Sequence, residues 1–128
     1  MTTAVAQLAQ LHLDDKGRIT IATIEGEIDL SNAAELEMAI SHAVTNEALG
    51  LVVNLARVEY LDSAGVSLLF NLARRISRRQ QEFVVVAPAE AHVREILSLS
   101  GATEALALCD SLAEALSQLN ADGQEPGV

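Results

Sequence analysis

The segment Leu61-Asp62-Ser63-Ala64-Gly65 places a hydroxyl group directly after a carboxylate, just ahead of an apolar run with helical spacing. Aspartate is a preferred helix-capping residue, so the pattern predicts a helix from about Ser63 to Arg79 whose first free amides donate to the carboxylate of Asp62. On a helical wheel at about 100° per residue, Ser63 points about 120° away from Leu69 on the apolar face. We therefore expect Ser63 to be exposed and able to react.

One reaction that suits this position is phosphorylation. Backbone amides and the helix dipole favour an anion at a helix start, so a phosphorylated Ser63 need not unfold the domain. The modification adds a charge of about −1.5 to −2 beside Asp62, and a partner packed against the neutral hydroxyl would face repulsion and a desolvation cost. Ser63 is therefore a candidate switch for binding.

The same wheel predicts an outward strip along this helix, and we interpret the strip as a partner contact because exposed aromatic and arginine side chains are frequent at binding hot spots. Its members are Ser63, Ser67, Phe70, Asn71 and Arg74, with Phe70 on the border of the core face. A plainer interpretation stays open: Asp62 and Ser63 only cap a helix, Phe70 belongs to the core, and the arginines form a solvated face.

A nucleophilic role for Ser63 in a hydrolase is a third possibility. It requires a general base held by a third group. The candidate bases His12, His42 and His92 lie far apart in the sequence, and no Gly-x-Ser-x-Gly segment is present. A metal site built from these histidines has the same weakness.

Composition restricts the remaining possibilities. A chain of 128 residues fits one domain, and its net charge of −10 disfavours nucleic acid as a partner. The single cysteine, Cys109, is expected to be a small core residue. No apolar stretch approaches the ~18 residues of a membrane helix, which predicts a cytoplasmic protein without membrane insertion.

The apolar periodicities predict the elements that position Ser63. A strand over Val5–Leu13 and a second over Arg18–Glu25 form an N-terminal hairpin around a turn at Asp14–Gly17. The helices and strands that follow are a helix from about Asn32 to Asn46 capped by Ser31, a buried strand at Gly50–Leu55, a brief loop, the Ser63 helix, a strand at Phe83–Ala87, a helix at Ala89–Ser100, a strand at Leu106–Cys109, and a helix through Leu119 capped by Asp110.

The predicted order is β-β-α-β-α-β-α-β-α, with about four helices. Strands separated by single helices imply right-handed crossovers, so the fold class is α/β with a mixed, mainly parallel sheet. We expect one domain over residues 1–120 and a disordered tail over residues 121–128.

These segments resemble the STAS domain family, in particular its stand-alone anti-sigma factor antagonists, over about residues 8–120. The resemblance rests on Gly26-Glu27-Ile28-Asp29, on Val52-Val53-Asn54-Leu55, on Val58-Glu59-Tyr60-Leu61-Asp62-Ser63-Ala64-Gly65 and on Leu99-Ser100-Gly101. It implies a single STAS domain that is not an enzyme and has no cofactor of its own.

The resemblance also implies a mechanism. Ser63 corresponds to the serine that a kinase of the histidine-kinase-like ATPase fold phosphorylates. This kinase is also the anti-sigma factor, and ATP and magnesium are its cofactors. The unmodified antagonist captures the kinase, and a PP2C-type phosphatase restores the hydroxyl. Asp62, Ala64 and Gly65 complete the motif, and Asp29 corresponds to an acidic position near the serine, although it could simply be a turn residue.

Two positions vary from the common family pattern: Asn54 replaces an aspartate and Ala64 a second serine. The arginines Arg74, Arg75, Arg78 and Arg79 have no family counterpart that we can assign, and they could be a docking patch or a solvated helix end. Related domains also serve as constitutive subunits of lipid-transport or signalling complexes. That role is the alternative to a phosphorylation switch.

Overall fold

The computed structural model describes the backbone of residues 2–6 and 8–123 and the side chains of residues 8–119. Within these residues six strands form one sheet in the order in which they occur along the chain. In chain order the elements are β1 (Thr2–Ala6), β2 (Ala9–Lys16), β3 (Ile19–Ile28), α1 (Ala33–Ala43), β4 (Gly50–Leu61), α2 (Ser63–Arg78), β5 (Glu82–Val86), α3 (His92–Leu99), α4 (Ala102–Ala105), β6 (Leu108–Cys109) and α5 (Leu112–Gly123).

The predicted fold class is confirmed. β1, β2 and β3 pair antiparallel, and β3, β4, β5 and β6 pair parallel. The larger core lies between the sheet and α1, α2 and α3, whereas a smaller core on the other face packs against α5. The sheet is therefore covered on both faces, which explains the continuously apolar sequence at the start of β4.

The predicted first strand, Val5–Leu13, is wrong in its bounds. The chain reverses at Leu8, which has a positive φ of 53°, and so forms two strands instead of one. Leucine is uncommon in this conformation, and the sequence supplies no glycine or asparagine that would signal the turn. The second turn lies at Gly17, where the φ of 61° suits the first position of a two-residue hairpin.

The loop predicted after Leu55 is also wrong, because β4 continues to Leu61. This second half of β4 pairs with β3 through Gly26 and Val58 and ends at the pair Ile28 and Leu61. Exposed polar side chains at Arg57 and Glu59 gave it the appearance of a loop. The extension matters for the site because it brings β4 directly up to Asp62.

The last third of the chain follows the predicted order except for α4, a short helix that the sequence did not predict. α3 and β6 are shorter than predicted. Gly101 ends α3 in the left-handed conformation, as expected of a helix terminator. The cap of α5 is Ser111 rather than Asp110: its hydroxyl accepts from the amide of Glu114 at 3.1 Å, while the carboxylate of Asp110 pairs with Arg94. α5 continues to Gly123, and residues 124–128 of the predicted tail lie outside the described residues.

Candidate functional site

The site lies where two neighbouring parallel strands end. Ile28 of β3 pairs with Leu61 of β4, and the amide of Asp62 donates to the carbonyl of Ile28 at 3.1 Å. Asp29 and Asp62 directly follow these two strand ends. Because parallel strands end at the same edge of a sheet, the structure brings the predicted Asp29 and the Asp62–Gly65 motif to one edge.

The turn between β4 and α2 confirms the prediction for Asp62. One oxygen of its carboxylate accepts from the amides of Ala64 at 2.8 Å and Gly65 at 3.2 Å, so Asp62 caps α2. Ser63 is the first helical residue and is exposed. Among the described residues its hydroxyl has no hydrogen-bond partner. The Ser63 hydroxyl is therefore accessible from solvent at a helix start.

Gly65 allows α2 to begin close to the strand ends. A Cβ atom at this position would lie 2.8 Å from Cβ of Leu61 and 3.3 Å from Cγ2 of Ile28. A separation of 2.8 Å is too short for two carbon atoms, so a larger residue would push the helix outward. The glycine of the motif therefore sets the position of Ser63 relative to the sheet.

The turn between β3 and α1 engages Asp29 in a different contact. Its carboxylate accepts from the amide of Ser31 at 2.9 Å and from the hydroxyl of Ser31 at 2.5 Å. Short O–H···O⁻ bonds of this kind are strong. The hydroxyl that Asp29 holds in this structure is that of Ser31.

Ser31 is not the cap that the sequence predicted for α1. The N-cap is Asn32, and its side chain turns inward, accepting from the amide of Asp29 at 3.0 Å and donating to the carbonyl of Glu27 at 2.9 Å. Asn32 is 1% exposed. It therefore holds the turn together from the inside, because its side chain pairs with a carbonyl near the end of β3 and with an amide of the turn itself.

A hollow of about 410 Å³ separates α1 from α2 beside Ser63. From the predicted strip, Ser63, Ser67 and Asn71 line this hollow, whereas Phe70 and Arg74 do not. Phe70 is half-buried and packs against the larger core. Phe70 thus lies at the border of the core face, as expected, and the strip as a partner contact stays a prediction. The other residues around the hollow are Leu30, Ala33, Ala34, Glu37, Ala64 and Leu68.

Glu37 of α1 joins the two walls of the hollow, and the sequence reasoning missed it. Its carboxylate accepts from the side-chain amide of Asn71 at 3.1 Å and lies 3.6 Å from the guanidinium of Arg75. Arg74 donates to Asn71 at 2.5 Å, and Arg79 donates to the carbonyl of Val44 at 2.9 Å. Of the four arginines, Arg74 therefore contacts another residue of α2, whereas Arg75 and Arg79 contact α1 and the segment that follows it.

The side chains considered for other chemistry lie elsewhere. His12, His42 and His92 lie on β2, α1 and α3, and residues 8–119 contain no group of three metal-ligating side chains placed to hold an ion. Cys109 is buried in the smaller core as expected. Burial raises the pKa of its thiol, and the carboxylates of Glu114 and Asp110 raise it further. No helix of the described chain has the length and hydropathy to cross a membrane.

Residues 10–115 match the STAS domain family, and the architecture agrees with that match. The chain belongs to this family.

Within the family it is similar to anti-sigma factor antagonists, which confirms the resemblance seen in the sequence. It is 34% identical over 102 residues to the anti-sigma-F factor antagonist RsfB of Mycobacterium tuberculosis, covering 80% of this chain and 82% of the relative.

Solved structures have a similar fold. The crystal structure of an anti-sigma factor antagonist from Mycobacterium paratuberculosis superposes with a TM-score of 0.78 at 28% identity, over 88% of this chain and 94% of that one. The Bacillus cell fate determinant SpoIIAA in its phosphorylated form superposes with a TM-score of 0.64 over 85% of this chain and 98% of that one. At 20% identity, this second match shows the fold alone.

Proposed function

We propose that this chain is an anti-sigma factor antagonist that works in the cytoplasm by partner switching, with Ser63 as the phosphorylated residue. The observation that carries the proposal is the exposed Ser63 hydroxyl at the first position of α2, one residue after a capping aspartate. Similarity to RsfB supports the regulatory class. The partner is a serine kinase of the histidine-kinase-like ATPase fold that also serves as the anti-sigma factor.

Phosphorylation takes place in the complex with the kinase. The Ser63 oxygen attacks the γ-phosphorus of the kinase's magnesium-bound ATP, the bond to the β–γ bridging oxygen breaks, and ADP leaves while the hydroxyl proton passes to a base or to solvent. A PP2C-type phosphatase later hydrolyses the phosphoserine and restores the hydroxyl. The antagonist has no cofactor of its own in this cycle.

The hollow beside Ser63 explains why a phosphate would weaken binding. Among residues 8–119, the one charged residue that lines it is Glu37, an acid already engaged by Asn71 and Arg75. A phosphate at Ser63 would therefore find no cation among the lining residues, and a bound partner would also remove its water. Burying such a charge without a counter-ion is costly. Free antagonist tolerates the phosphate because it stays hydrated at the helix start.

The test is to measure binding of the full chain to the purified kinase that the same genome encodes, with ADP present, by isothermal titration calorimetry. We expect Ser63→Ala to bind and Ser63→Glu to bind at least tenfold more weakly. Ser77→Glu is the matched control and should bind like the wild type, because it adds the same charge at an exposed serine of α2 that does not line the hollow.

If Ser63→Glu binds as well as the wild type, the switch is refuted and a constitutive subunit becomes the better description. If the wild type does not bind the kinase, the proposed partner is wrong.

A further inference from the structure

Three apolar residues follow one another at intervals of four along the outer side of the α1 region. Leu30, in the turn before the helix, is 83% exposed, Met38 is 62% exposed, and Ala34 between them is exposed as well. The buried side of α1 uses other residues, Leu36 and Ile40 among them. The stripe of Leu30, Ala34 and Met38 is therefore additional to the core-facing side of the helix.

This apolar stripe is continuous with the hollow beside Ser63. Leu30 and Ala34 line that hollow, and Ala34 and Met38 line a second hollow of about 300 Å³ further along the same two helices. The two hollows share Ala34 and Glu37. We refer to these two neighbouring hollows together as the α1–α2 groove, with Ser63 beside one and Arg75 beside the other.

The groove is held in shape before any partner arrives. Glu37 ties α1 to α2 through Asn71 and Arg75, and Asn32 fastens the turn that carries Leu30. Leu36 and Ile40 anchor α1 in the core at 1% and 0% exposure. A preformed groove loses little entropy when a partner binds, so contacts along it add efficiently to affinity.

We propose that the stripe of Leu30, Ala34 and Met38 is a docking surface for an uncharged, apolar segment of the kinase that recognises Ser63. The inference rests on the proposed function and extends the contact from α2 to α1. Charge supports this occupant, because the stripe is uncharged on a chain of net charge −10. The position of Leu30 supports it too, because an apolar group packed there would exclude water from a phosphate on Ser63.

The experiment compares two leucines with the same exposure. Leu30 and Leu99 are each 83% exposed, but Leu99 lies at the end of α3 and lines neither hollow. Burying an exposed leucine side chain in an interface is worth about tenfold or more in affinity. We expect Leu30→Ala and Met38→Ala each to weaken binding to the kinase about tenfold, and Leu99→Ala to change it less than twofold.

A second measurement connects the stripe to the switch. In a double-mutant cycle, Leu30→Ala should cost much less in the Ser63→Glu background than in the wild type, because the charge at Ser63 already prevents close contact at Leu30. The exposed positions of the substitutions leave the fold intact, which circular dichroism and thermal melting would verify.

The outcomes separate this inference from the function on which it rests. If Ser63→Glu loses affinity while Leu30→Ala and Met38→Ala bind like the wild type, the stripe is not a docking surface and the switch remains. Equal losses for Leu30→Ala and Leu99→Ala would also overturn the stripe. If the wild type itself fails to bind, the proposed function falls first.

Discussion

The two turns at the carboxyl edge of the sheet are built from similar parts, yet they leave their serines in different situations. In the β3–α1 turn the carboxylate of Asp29 accepts from both the amide and the hydroxyl of Ser31. In the β4–α2 turn the carboxylate of Asp62 accepts from the amides of Ala64 and Gly65, and the Ser63 hydroxyl extends into solvent. One aspartate holds its serine, whereas the other caps a helix.

The difference follows from where each helix begins. α2 begins immediately after Asp62, so the capping aspartate is occupied by helix amides and Ser63 becomes the first helical residue. α1 begins only at Ala33, and Asn32 fills the intervening corner from inside. In this chain, an aspartate followed by a serine leaves the serine hydroxyl accessible where the helix starts at once, and holds it where the helix starts later.

The largest loss of stability should come from substituting Asn32, which holds the β3–α1 turn together from the inside. Asn32→Ala leaves the amide of Asp29 and the carbonyl of Glu27 without their partner, and unsatisfied groups cost about 1 to 3 kcal/mol each. We expect the free energy of unfolding in urea to fall by about 3 kcal/mol. Ser31→Ala removes one hydroxyl on the exposed side of the same turn, where water can take its place at Asp29, and should lower it by about 1 kcal/mol or less. Equal effects of the two substitutions would contradict this division of roles.

The next largest loss of stability should come from substituting Gly65, which allows α2 to lie close to the ends of the strands. Gly65→Ala introduces a Cβ atom 2.8 Å from that of Leu61. Overpacking costs about 1 to 3 kcal/mol, and alanine regains about 1 kcal/mol through its helix propensity. We expect a net loss of about 1 kcal/mol in urea unfolding, together with weaker kinase binding because Ser63 moves. Unchanged stability and binding would show that the helix start is not fixed by this contact.

The smallest effect should come from the cap of α2. Asp62→Ala removes the acceptor for two helix amides, and loss of a cap costs about 1 kcal/mol or somewhat less where water can replace it. Asp62→Asn keeps an acceptor in place and should retain most of the stability. A thermal melt of the two variants decides the point, because equal losses would mean that the charge of Asp62 matters more than its hydrogen bonds.

The sequence predicted the class of fold because its strongest signals are local. The apolar run of Gly50–Leu55 and the helical spacing after Ser63 each specify an element without help from the rest of the chain. The second half of β4 was missed because its polar side chains face solvent and its pairing with β3 is a long-range contact. The reversal at Leu8 was missed because the residue type gives no turn signal.

The sequence likewise predicted one part of the site and missed another. Asp62, Ser63 and Gly65 could be placed from capping rules and a wheel, since all three lie on one helix start. The α1 wall could not, because a wheel for α2 does not show which residues of another helix face it. A signal was nevertheless present: Leu30, Ala34 and Met38 are apolar at intervals of four and fall outside the buried stripe of α1.

The most direct test of the central claim is to incubate the full chain with the kinase and magnesium ATP and to locate the phosphate by tandem mass spectrometry. The account predicts one phosphate on Ser63, none on the engaged hydroxyl of Ser31, and no phosphate on the Ser63→Ala variant. It also predicts that the phosphorylated chain no longer binds the kinase. Phosphate on another residue, or undiminished binding by the Ser63-phosphorylated chain, would contradict the account.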